Sequence, residues 1–297
     1  MKKILLIGSS GQLGYELKRT LPFIGELSCL KKSDFDYLDF QKLSSYIRDL
    51  KPDFIINASA YTNVDKAESE KEMAYLMNEE LPKQLAFISK KSNASLLHYS
   101  TDYVFEGRGN RPYLENDPVN PQGIYGLSKL AGENQILEID PDYIILRTAW
   151  LYGHYGKNFY RKMIELAKEK ETLKIVNDQI GCPTTARMLA FVTAIILKDC
   201  INGFHNKKGI YHAVSSGQCS WYEFGSMIIE NAVPVVQRTV KSILPVTSDQ
   251  YITLAKRPSY SVLNNQKLSE AFQISLPKWK DLLIQHIEDK DWAILDE

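Results

Sequence analysis

The sequence is poor in the residues that bind metal ions or form disulfide frameworks. Its four cysteines and five histidines are scattered over 297 residues, and no two cysteines have the C-x-x-C spacing of a zinc or redox site. The cysteines are Cys29, Cys182, Cys200 and Cys219. The histidines are His98, His154, His205, His212 and His286. Cysteines without such spacing are typical of reduced thiols, so we expect a cytoplasmic protein.

Long apolar runs and an excess of one charge are also missing. No apolar stretch approaches the ~20 residues that span a bilayer. The first apolar run is short and ends in a glycine loop, which favours a buried strand over a signal peptide. The 36 basic residues equal the 36 acidic residues, so no overall field draws the chain to nucleic acid or anionic lipid. We therefore expect no nucleic-acid partner and no membrane association.

The first half of the chain alternates short apolar runs with segments of helical periodicity. This alternation predicts βαβ units and a doubly wound parallel sheet of the Rossmann type, an α/β fold. Pro82 interrupts the third helical segment, so we expect a kink there or a new helix with Pro82 in its first turn. The predicted strands are residues 3–7, 27–30, 54–57, 95–100 and 143–147, and the predicted helices are residues 12–20, 42–50 and 72–91.

The second half is less regular and richer in turn residues. GIYHAV predicts one more strand, and Ser220 with Glu223 three residues later is a capping-box signature for a helix. No low-complexity linker separates the halves. We therefore predict a dinucleotide-binding domain at 1–152, to which about 186–213 return, and a smaller, discontinuous α/β substrate-binding region at 153–185 and 214–297.

A glycine loop connects the first predicted strand with the first helix. Gly8, Gly11 and Gly14 lack side chains that would block a tight turn and the close approach of a pyrophosphate. The charge of that pyrophosphate would meet free N–H groups at the helix N-terminus. The simpler alternative is a turn that only packs tightly. The loop predicts a dinucleotide site in which Ser10, Gln12 and Leu13 accompany the glycines.

The end of the second strand bears on the choice of cofactor. Dinucleotide-binding units often place an acidic residue ~20 positions after the glycine loop, where it holds the ribose 2′-hydroxyl. Lys31 and Lys32 occupy this region, and an ammonium group there favours the 2′-phosphate of NADP. Asp34 or Asp36 would serve NAD instead. We expect NADPH as the cofactor, with NADH left open.

The fourth strand and the following helix supply candidate catalytic groups. Ser100, Thr101 and Asp102 lie at the carboxyl end of the strand, which is where ligands bind in open parallel sheets. Tyr125 and Lys129 are four residues apart, so on a helix they share one face. An ammonium ~4 Å from a phenolate stabilises it by ~4 kcal/mol at an effective dielectric of ~20. We therefore expect Lys129 to lower the pKa of Tyr125 and make it a proton donor.

Eight stretches of the sequence resemble motifs of the extended short-chain dehydrogenase/reductase family. They are GSSGQLG, PDFIINASAYTNVDKAE, STDYVFEG, YGLSKLAGE, RTAWLYG, NDQIGCPT, CSWYEF and RPSYSVL, and they extend from residue 8 to residue 263. The likeness is strongest to members that act on nucleotide-linked 4-keto-6-deoxy sugars. It implies NAD(P)H-dependent reduction of the 4-keto group of dTDP-4-dehydro-6-deoxy-L-mannose to dTDP-L-rhamnose.

The resemblance also implies roles for individual residues. Thr101 would donate a hydrogen bond to the substrate oxygen, Tyr125 would donate the proton, and Lys129 would hold the nicotinamide ribose. For two of the residues that the resemblance assigns to the substrate, a simpler alternative stays open. Trp150 could serve packing alone, and Arg257 could have a surface or structural role. Further cofactor contacts are implied for Asp39, Phe40, Ala58, Ser59, Ala60, Tyr61 and Ser100. Substrate contacts are implied for Thr62, Val64, Asp102, Tyr103, Trp150, Asn158, Gln179 and Arg257.

Some members of the family bind Mg²⁺ through glutamates, one of which lies in the first helix. Glu16 matches that position, but Arg187 stands where such members carry another glutamate. Because a cation would be repelled there, we predict no bound metal.

Several alternatives remain open at this stage. Related dehydratases carry an Asp-Glu pair after the equivalent threonine, whereas Tyr103 follows Asp102 here, which favours plain reduction. A reductase of another nucleotide-linked 4-keto-6-deoxy sugar fits nearly as well. A non-catalytic regulatory subunit can share this fold, although retention of Thr101, Tyr125 and Lys129 favours an enzyme. The expected small-molecule partner is a nucleotide-sugar, and a homodimer is left open.

Overall fold

The central feature of the computed structural model is a sheet of six parallel strands. The structure describes residues 1–31, 36, 38–251 and 253–289. Strand order in the sheet is β10-β5-β4-β3-β1-β2. Its strands are β1 Lys3–Ile7, β2 Glu26–Leu30, β3 Phe54–Asn57, β4 Ser95–Thr101, β5 Asp142–Thr148 and β10 Gly209–His212, and the shorter strands are β6 Leu151–Tyr152, β7 Thr172–Val176, β8 Ile180–Gly181, β9 Thr184–Thr185, β11 Cys219–Ser220 and β12 Ser242–Val246.

Helices cover both faces of this sheet. The α-helices of the described residues are α1 Gln12–Thr20, α2 Phe40–Leu50, α3 Val64–Ala67, α4 Lys71–Tyr75, α5 Leu81–Ser92, α6 Ile124–Ile139, α7 Phe159–Glu169, α8 Ala186–Asp199, α9 Trp221–Ala232, α10 Gln266–Phe272 and α11 Trp279–Glu288. The connections between neighbouring parallel strands run through these helices, as a doubly wound sheet requires.

Strand β1 shows why the apolar run of the sequence becomes a central strand. Ile4 and Leu6 belong to the core cluster that contains residues of α1 and α8. Leu5 and Ile7 belong to the cluster on the opposite face, with residues of α2 and α5. Successive side chains of a strand point to opposite faces, so a continuous apolar run buries both. The predicted Rossmann-type fold is confirmed.

The predicted elements agree with the observed ones to within two residues at most ends. Helix α2 begins at Phe40, two residues before its prediction, because the Asp39 carboxylate caps it by accepting the Lys42 N–H at 3.1 Å. The predicted segment 72–91 divides into α4, a π-helical turn over Leu76–Glu80, and α5, with Pro82 in the first turn of α5. The second predicted arrangement, a new α-helix with Pro82 in its first turn, is therefore confirmed.

The π-helical turn has a packing consequence for helix α6. A Cβ added at Gly132 would lie 2.0 Å from the Asn78 carbonyl oxygen, so the glycine allows α6 to approach the turn closely. The Asn78 amide then donates to the Ser128 hydroxyl at 3.0 Å. This contact fixes the helix that carries Tyr125 and Lys129.

The remaining strands and helices form a smaller layer beside the sheet. Strands β7 and β12 pair in parallel, and β8 and β11 pair antiparallel. Ser220 and Glu223 form the predicted capping box at the start of α9. Strand β10 returns to the main sheet beside β5. Leu268 and Phe272 of α10 pack in the core cluster of the main sheet, although they belong to the segment 214–297. The division into 1–152 with 186–213, and 153–185 with 214–297, stays a prediction.

None of the helices in the described part of the chain is long and apolar enough to cross a membrane.

Candidate active site

The carboxyl ends of four neighbouring strands meet at one edge of the sheet. Strand order reverses between β1 and β3, and an open α/β sheet binds ligands in the crevice at such a point. The glycine loop follows β1, Ala58 follows β3, Thr101 ends β4, and Ala149 follows β5. The fold thus brings together segments that are far apart in the sequence.

These segments line a cleft of about 580 Å³. It extends from the glycine loop, past the ends of β3, β4 and β5, to the start of α9. The predicted site residues that it brings together are Ser10, Gly11, Gln12, Leu13, Ala58, Ala60, Thr62, Val64, Ser100, Thr101, Asp102, Tyr103, Tyr125, Lys129, Trp150, Asn158 and Arg257.

The three loop glycines have different surroundings. Gly8 has a φ of +85°, and a Cβ there would lie 2.6 Å from the Ser59 backbone nitrogen. A Cβ at Gly14 would lie 2.2 Å from the Gly8 carbonyl oxygen. At Gly11, by contrast, the nearest atom would be 3.4 Å away, which is ordinary contact. Gly8 and Gly14 therefore hold the loop against β3 and α1, and Gly11 leaves open space at the cleft.

Helix α1 begins at this loop without a side-chain cap. Gly11 is its N-cap residue and supplies no side-chain hydrogen bond. The N–H groups of the first helical turn therefore have no side-chain acceptor, and they carry the positive end of the helix dipole. This arrangement suits an anion such as a pyrophosphate.

Gly14→Ala should lower the free energy of unfolding by about 3 kcal/mol, because the new methyl group would overlap a backbone carbonyl that cannot move freely. Gly11→Ala is the matched control in the same loop, and it should cost less than about 1 kcal/mol. Urea denaturation of both variants measures the difference. Equal losses of stability would contradict the packing role assigned to Gly14.

Helix α6 presents Tyr125 and Lys129 to the cleft from its first two turns. Its first N–H group, that of Ile124, donates to the Glu68 carboxylate at 2.9 Å, which anchors the start of the helix. The ring of Tyr125 contacts that of Tyr103 edge to face, with centroids 5.5 Å apart. The geometry therefore places the phenol of Tyr125 beside the end of β4, where Thr101 lies.

The pKa of Tyr125 departs from our expectation. Burial of the phenol raises its pKa to about 12, and the Asp102 carboxylate acts in the same direction. The Thr101 hydroxyl, which hydrogen-bonds the phenol, lowers that pKa in part. The expected lowering by Lys129 is therefore wrong for this structure, because desolvation outweighs any attraction to an ammonium. At neutral pH the phenol is fully protonated.

Lys129 is itself a buried group. Its Nζ donates to the Tyr99 carbonyl oxygen at 2.6 Å and lies 3.2 Å from His98 Nε2. Burial lowers its pKa to about 8, and the nearby Glu133 carboxylate opposes this change. Lys129 therefore changes between its charged and neutral forms near pH 8.

Asp102 is a buried carboxylic acid at the end of β4. Its Oδ1 accepts a hydrogen bond from the Thr101 hydroxyl at 3.0 Å. Burial raises its pKa from 3.8 to about 6, against the lowering effect of the hydroxyl groups of Ser261 and Thr101. Its ionised form is therefore disfavoured in the folded protein.

Asp102→Asn should make the protein more stable than the wild type at pH 8, by up to about 3 kcal/mol. Because the folded-state pKa lies above the ordinary value of 3.8, the stabilisation from Asp102 is complete below pH 3.8 and is lost as pH rises through about 6. Asparagine does not ionise, so the variant does not lose this stabilisation as pH rises. The free energies of unfolding of the two proteins should therefore be similar near pH 4. Urea denaturation at both pH values measures the difference.

Asp117→Asn provides a control of opposite sign. The Arg111 side chain hydrogen-bonds Asp117 and lowers its pKa. The ionised carboxylate therefore stabilises the fold at pH values above 3.8, the ordinary pKa of an aspartate. That variant should be less stable than the wild type at pH 8. A destabilised Asp102→Asn variant at pH 8 would contradict the buried-acid assignment.

Two tryptophans form part of the wall of the cleft. Trp150 stacks on Trp221 with centroids 3.5 Å apart and planes 7° from parallel. Trp150 has a φ of +45°, a left-handed backbone that a bulky residue rarely adopts. Gly181 makes room for the indole, since a Cβ there would lie 2.4 Å from its ring. The pair is therefore a rigid apolar surface at which a flat or ring-shaped ligand can pack.

Polar atoms along the cleft are left without partners. Among the described residues, Ser100 Oγ, Thr148 Oγ1 and Arg257 Nε are buried and make no hydrogen bond. Another nitrogen of Arg257 donates to the Asp65 carboxylate at 2.8 Å, which fixes the guanidinium. Buried polar groups are normally satisfied, so these three atoms have hydrogen-bonding capacity that no described protein group uses.

Some predicted site residues do not line the cleft. Gly8 and Gly14 support the loop from behind, and Ser59 donates to the Asn57 side chain at 2.6 Å. The Gln179 side-chain amide donates to the Ser248 hydroxyl at 2.9 Å, and neither residue lines the cleft. Lys32 and Asp34 lie outside the described residues. The predicted positions that the structure places elsewhere than in the cleft lining are Gly8, Gly14, Lys31, Asp39, Phe40, Ser59, Tyr61 and Gln179.

Sequence reasoning missed several residues of the cleft. Trp221 is the most prominent of them, and its position directly after the capping-box serine gave no sign that it would reach Trp150. The RTAW motif could have indicated Thr148 and Ala149, because it ends a predicted strand. The full set of additional lining residues is Tyr99, Thr148, Ala149, Leu151, Gly156, Lys157 and Trp221.

The surroundings of Glu16 bear on the metal prediction. Arg187 Nε lies 3.5 Å from the Glu16 carboxylate, so a cationic side chain occupies the position beside it. Within the described residues, no group of three or more His, Cys, Asp or Glu side chains could hold a metal ion.

The sequence matches a known protein family over almost its whole length. The family described as the RmlD substrate binding domain matches residues 1–291. The chain belongs to this family. Its sequence is 42% identical to dTDP-4-dehydrorhamnose reductase of Burkholderia thailandensis, over 94% of this chain and 95% of that protein.

Solved structures of RmlD-family proteins have the same fold. The structure of dTDP-4-dehydrorhamnose reductase from Clostridium acetobutylicum is similar with a TM-score of 0.88 and 38% identity, over 96% of this chain and 98% of that one. The Bacillus anthracis dTDP-4-dehydrorhamnose reductase, solved in complex with NADP, has a TM-score of 0.88 and 34% identity, over 98% of this chain and all (100%) of that one. The resemblance inferred from the motifs is therefore confirmed.

Proposed function

We propose that this protein is an NADPH-dependent oxidoreductase that reduces the 4-keto group of dTDP-4-dehydro-6-deoxy-L-mannose to give dTDP-L-rhamnose. The observation that carries the proposal is the meeting of Thr101, Tyr125 and Lys129 with the glycine loop in one cleft. The names of the RmlD-family relatives support the same reaction. We also propose the two-part division of the chain predicted from the sequence, with the cleft between the parts.

The residues of the cleft fit a dinucleotide. The open space at Gly11 and the uncapped start of α1 suit the pyrophosphate, and Lys129 is within the same cleft for the nicotinamide ribose. The relative that was solved with NADP supports NADPH as the cofactor. NADPH bound there supplies the hydride.

Other residues of the cleft fit a nucleotide-sugar. The Trp150–Trp221 stack provides an apolar wall for a sugar or base, and the guanidinium of Arg257, which lines the cleft, can donate to a phosphate oxygen. Asp65 holds the guanidinium in place for this contact. We assign Thr62, Val64, Tyr103 and Asn158 to the substrate site. The Asn158 amide donates to Gln12 Oε1 at 3.3 Å, so this residue lies beside the glycine loop.

Tyr125 is the proton donor in this proposal. As the carbonyl carbon accepts hydride, negative charge develops on the substrate oxygen, and an alkoxide is a much stronger base than a phenolate. The pKa of about 12 keeps Tyr125 protonated at neutral pH, so the donor form is always present. The Thr101 hydroxyl, whose proton goes to Asp102 Oδ1 in this structure, turns to the substrate oxygen and orients it by a hydrogen bond. The proton then passes from the Tyr125 hydroxyl to the substrate oxygen.

The direct test is consumption of NADPH in the presence of the dTDP-linked 4-keto sugar, with UDP- and GDP-linked 4-keto-6-deoxy sugars in parallel. We expect turnover with the dTDP-linked sugar at a kcat/KM at least tenfold above the others. Faster turnover of a UDP- or GDP-linked sugar would reassign the substrate. No NADPH oxidation with any of them, together with tight binding of another protein, would support a regulatory subunit instead.

A further inference from the structure

A buried chain of polar groups connects strand β3 with Lys129. It runs from Ser59 through Asn57 and His98 to the Lys129 amine, and the Tyr99 carbonyl contacts the same amine. Each of these five residues is buried, and His98 is 0% exposed. Buried polar groups must match donor to acceptor, so the protonation of each member constrains the next.

The first link fixes the orientation of the Asn57 amide. The Ser59 backbone N–H lies 3.2 Å from Asn57 Oδ1, and the Ser59 hydroxyl lies 2.6 Å from the same atom. A backbone N–H can only donate, so its partner must be the carbonyl oxygen of the amide. The Asn57 amino group therefore faces the other way, toward His98.

The second link fixes the tautomer of His98. Asn57 Nδ2 lies 3.1 Å from His98 Nδ1, and an amide nitrogen can only donate. His98 Nδ1 must therefore accept, and the neutral ring carries its proton on Nε2. Complete burial and the neighbouring Lys129 lower the pKa of His98 well below 6.5, which agrees with a neutral ring.

The third link sets a condition on Lys129. The proton on His98 Nε2 points to Lys129 Nζ at 3.2 Å, while Nζ also lies 2.6 Å from the Tyr99 carbonyl oxygen. An ammonium group has no lone pair, so it would face the Nε2–H donor to donor. A neutral amine can accept from His98 and donate to Tyr99 at the same time.

We propose that His98 is a positioning residue that acts through Lys129: Asn57 holds its ring with the proton on Nε2, and that N–H favours the neutral amine. Nothing in the proposed reaction assigns this role to a histidine. The consequence for turnover rests on the proposed function of Lys129, because a lysine that changes charge near working pH makes the reduction rate depend on pH.

Other charged groups near Lys129 do not replace this effect. Glu133 lies one turn further along α6, but its carboxylate is paired with Arg147 of β5 at 2.6 Å. Asp102 and Tyr125 share the cleft with Lys129, and burial raises the pKa of each, so both are largely protonated at mildly acidic pH. His98 of β4 is the titratable group in direct contact with the amine.

The tautomer can be measured without substrate. Long-range ¹H–¹⁵N correlation spectra of the intact protein, with the His98 signals identified by a His98→Phe variant, distinguish Nε2–H from Nδ1–H rings. We expect Nε2–H for His98 at both pH 6 and pH 9. An Nδ1–H tautomer, or a doubly protonated ring at either pH, would overturn the proposal.

Asn57→Asp tests whether the tautomer controls Lys129. The carboxylate keeps the Ser59 contacts but accepts a proton from Nδ1, so Nε2 becomes an acceptor for the ammonium. The proton affinity of Lys129, followed by ¹³C signals of labelled lysine Cε, should rise about tenfold or more. In the His98→Phe background, Asn57→Asp adds the same negative charge, but no histidine connects it with Lys129. There the rise in the pKa of Lys129 should be less than half of the rise in the background that keeps His98.

Equal rises in the two backgrounds would show a simple charge effect and overturn the proposal. If a variant fails to fold, the tautomer of His98 in the wild-type protein still tests the proposal on its own. The tautomer of His98 and the proton affinity of Lys129 are both measured without turnover. A negative result for either therefore does not bear on the reductase assay, and a negative reductase assay does not bear on either measurement.

Discussion

Tyr125→Phe should lower kcat by about two decades or more while leaving the Kd for NADPH within about twofold of the wild type. The phenyl ring keeps the edge-to-face contact with Tyr103 and removes only the hydroxyl. Without it, the alkoxide formed by hydride transfer has no donor held at the right position. Steady-state kinetics at saturating NADPH, with cofactor titration by fluorescence, measures both quantities.

Tyr103→Phe is the matched control for this prediction. Tyr103 lines the same cleft, and its pKa is likewise raised by burial, but it lies on the 3₁₀ turn after β4 and has no lysine four residues later. We expect its kcat to fall less than about tenfold. Near-normal turnover of Tyr125→Phe, or equal losses in both variants, would remove Tyr125 from the proton-donor role.

Arg147→Met should lower the free energy of unfolding by about 3–5 kcal/mol. Arg147 of β5 and Glu133 of α6 form a two-point ion pair, with Nε to Oε1 at 3.0 Å and a second nitrogen to Oε2 at 2.6 Å. Both side chains are buried, at 3% and 1% exposure. Removing the arginine leaves a buried, unpaired carboxylate one turn from Lys129. Urea denaturation at pH 8 measures the loss.

The double variant Arg147→Met with Glu133→Leu separates the ion pair from general packing. Replacing both partners removes the unpaired charge, so most of the lost stability should return. The expected loss for the double variant is below about 2 kcal/mol. A double variant as unstable as Arg147→Met would mean that shape or the contacts of the guanidinium with neighbouring groups, and not the charge, determines the cost.

Local sequence patterns predicted the sheet and the glycine loop because their causes are local. The buried strand β1 is a continuous apolar run, and the start of α9 follows from Ser220 and Glu223 alone. The candidate catalytic pair could be identified because Tyr125 and Lys129 lie on one helix. Each of these features depends on residues within a few positions of one another.

The rest of the site depends on contacts between distant segments. Trp221 reaches Trp150 only because α9 packs against the loop that follows β5, and no spacing rule connects the two. Gln179 lies in a motif of the family, yet its side chain bonds Ser248. The spacing of Tyr125 and Lys129 predicts a lowered pKa for the phenol because it takes account of the lysine alone, whereas burial raises that pKa in the folded protein.

Transfer of deuterium from [4,4-²H₂]NADPH, which carries deuterium at both positions of C4, to the sugar tests the central claim most directly. The protein is incubated with this cofactor and dTDP-4-dehydro-6-deoxy-L-mannose, and the product is analysed by mass spectrometry and NMR. The account predicts one deuterium, bound to C4 of the product sugar, and a loss of this product by about two decades in rate with Tyr125→Phe. Product without deuterium at C4, or cofactor oxidation without reduction of the sugar, would contradict it.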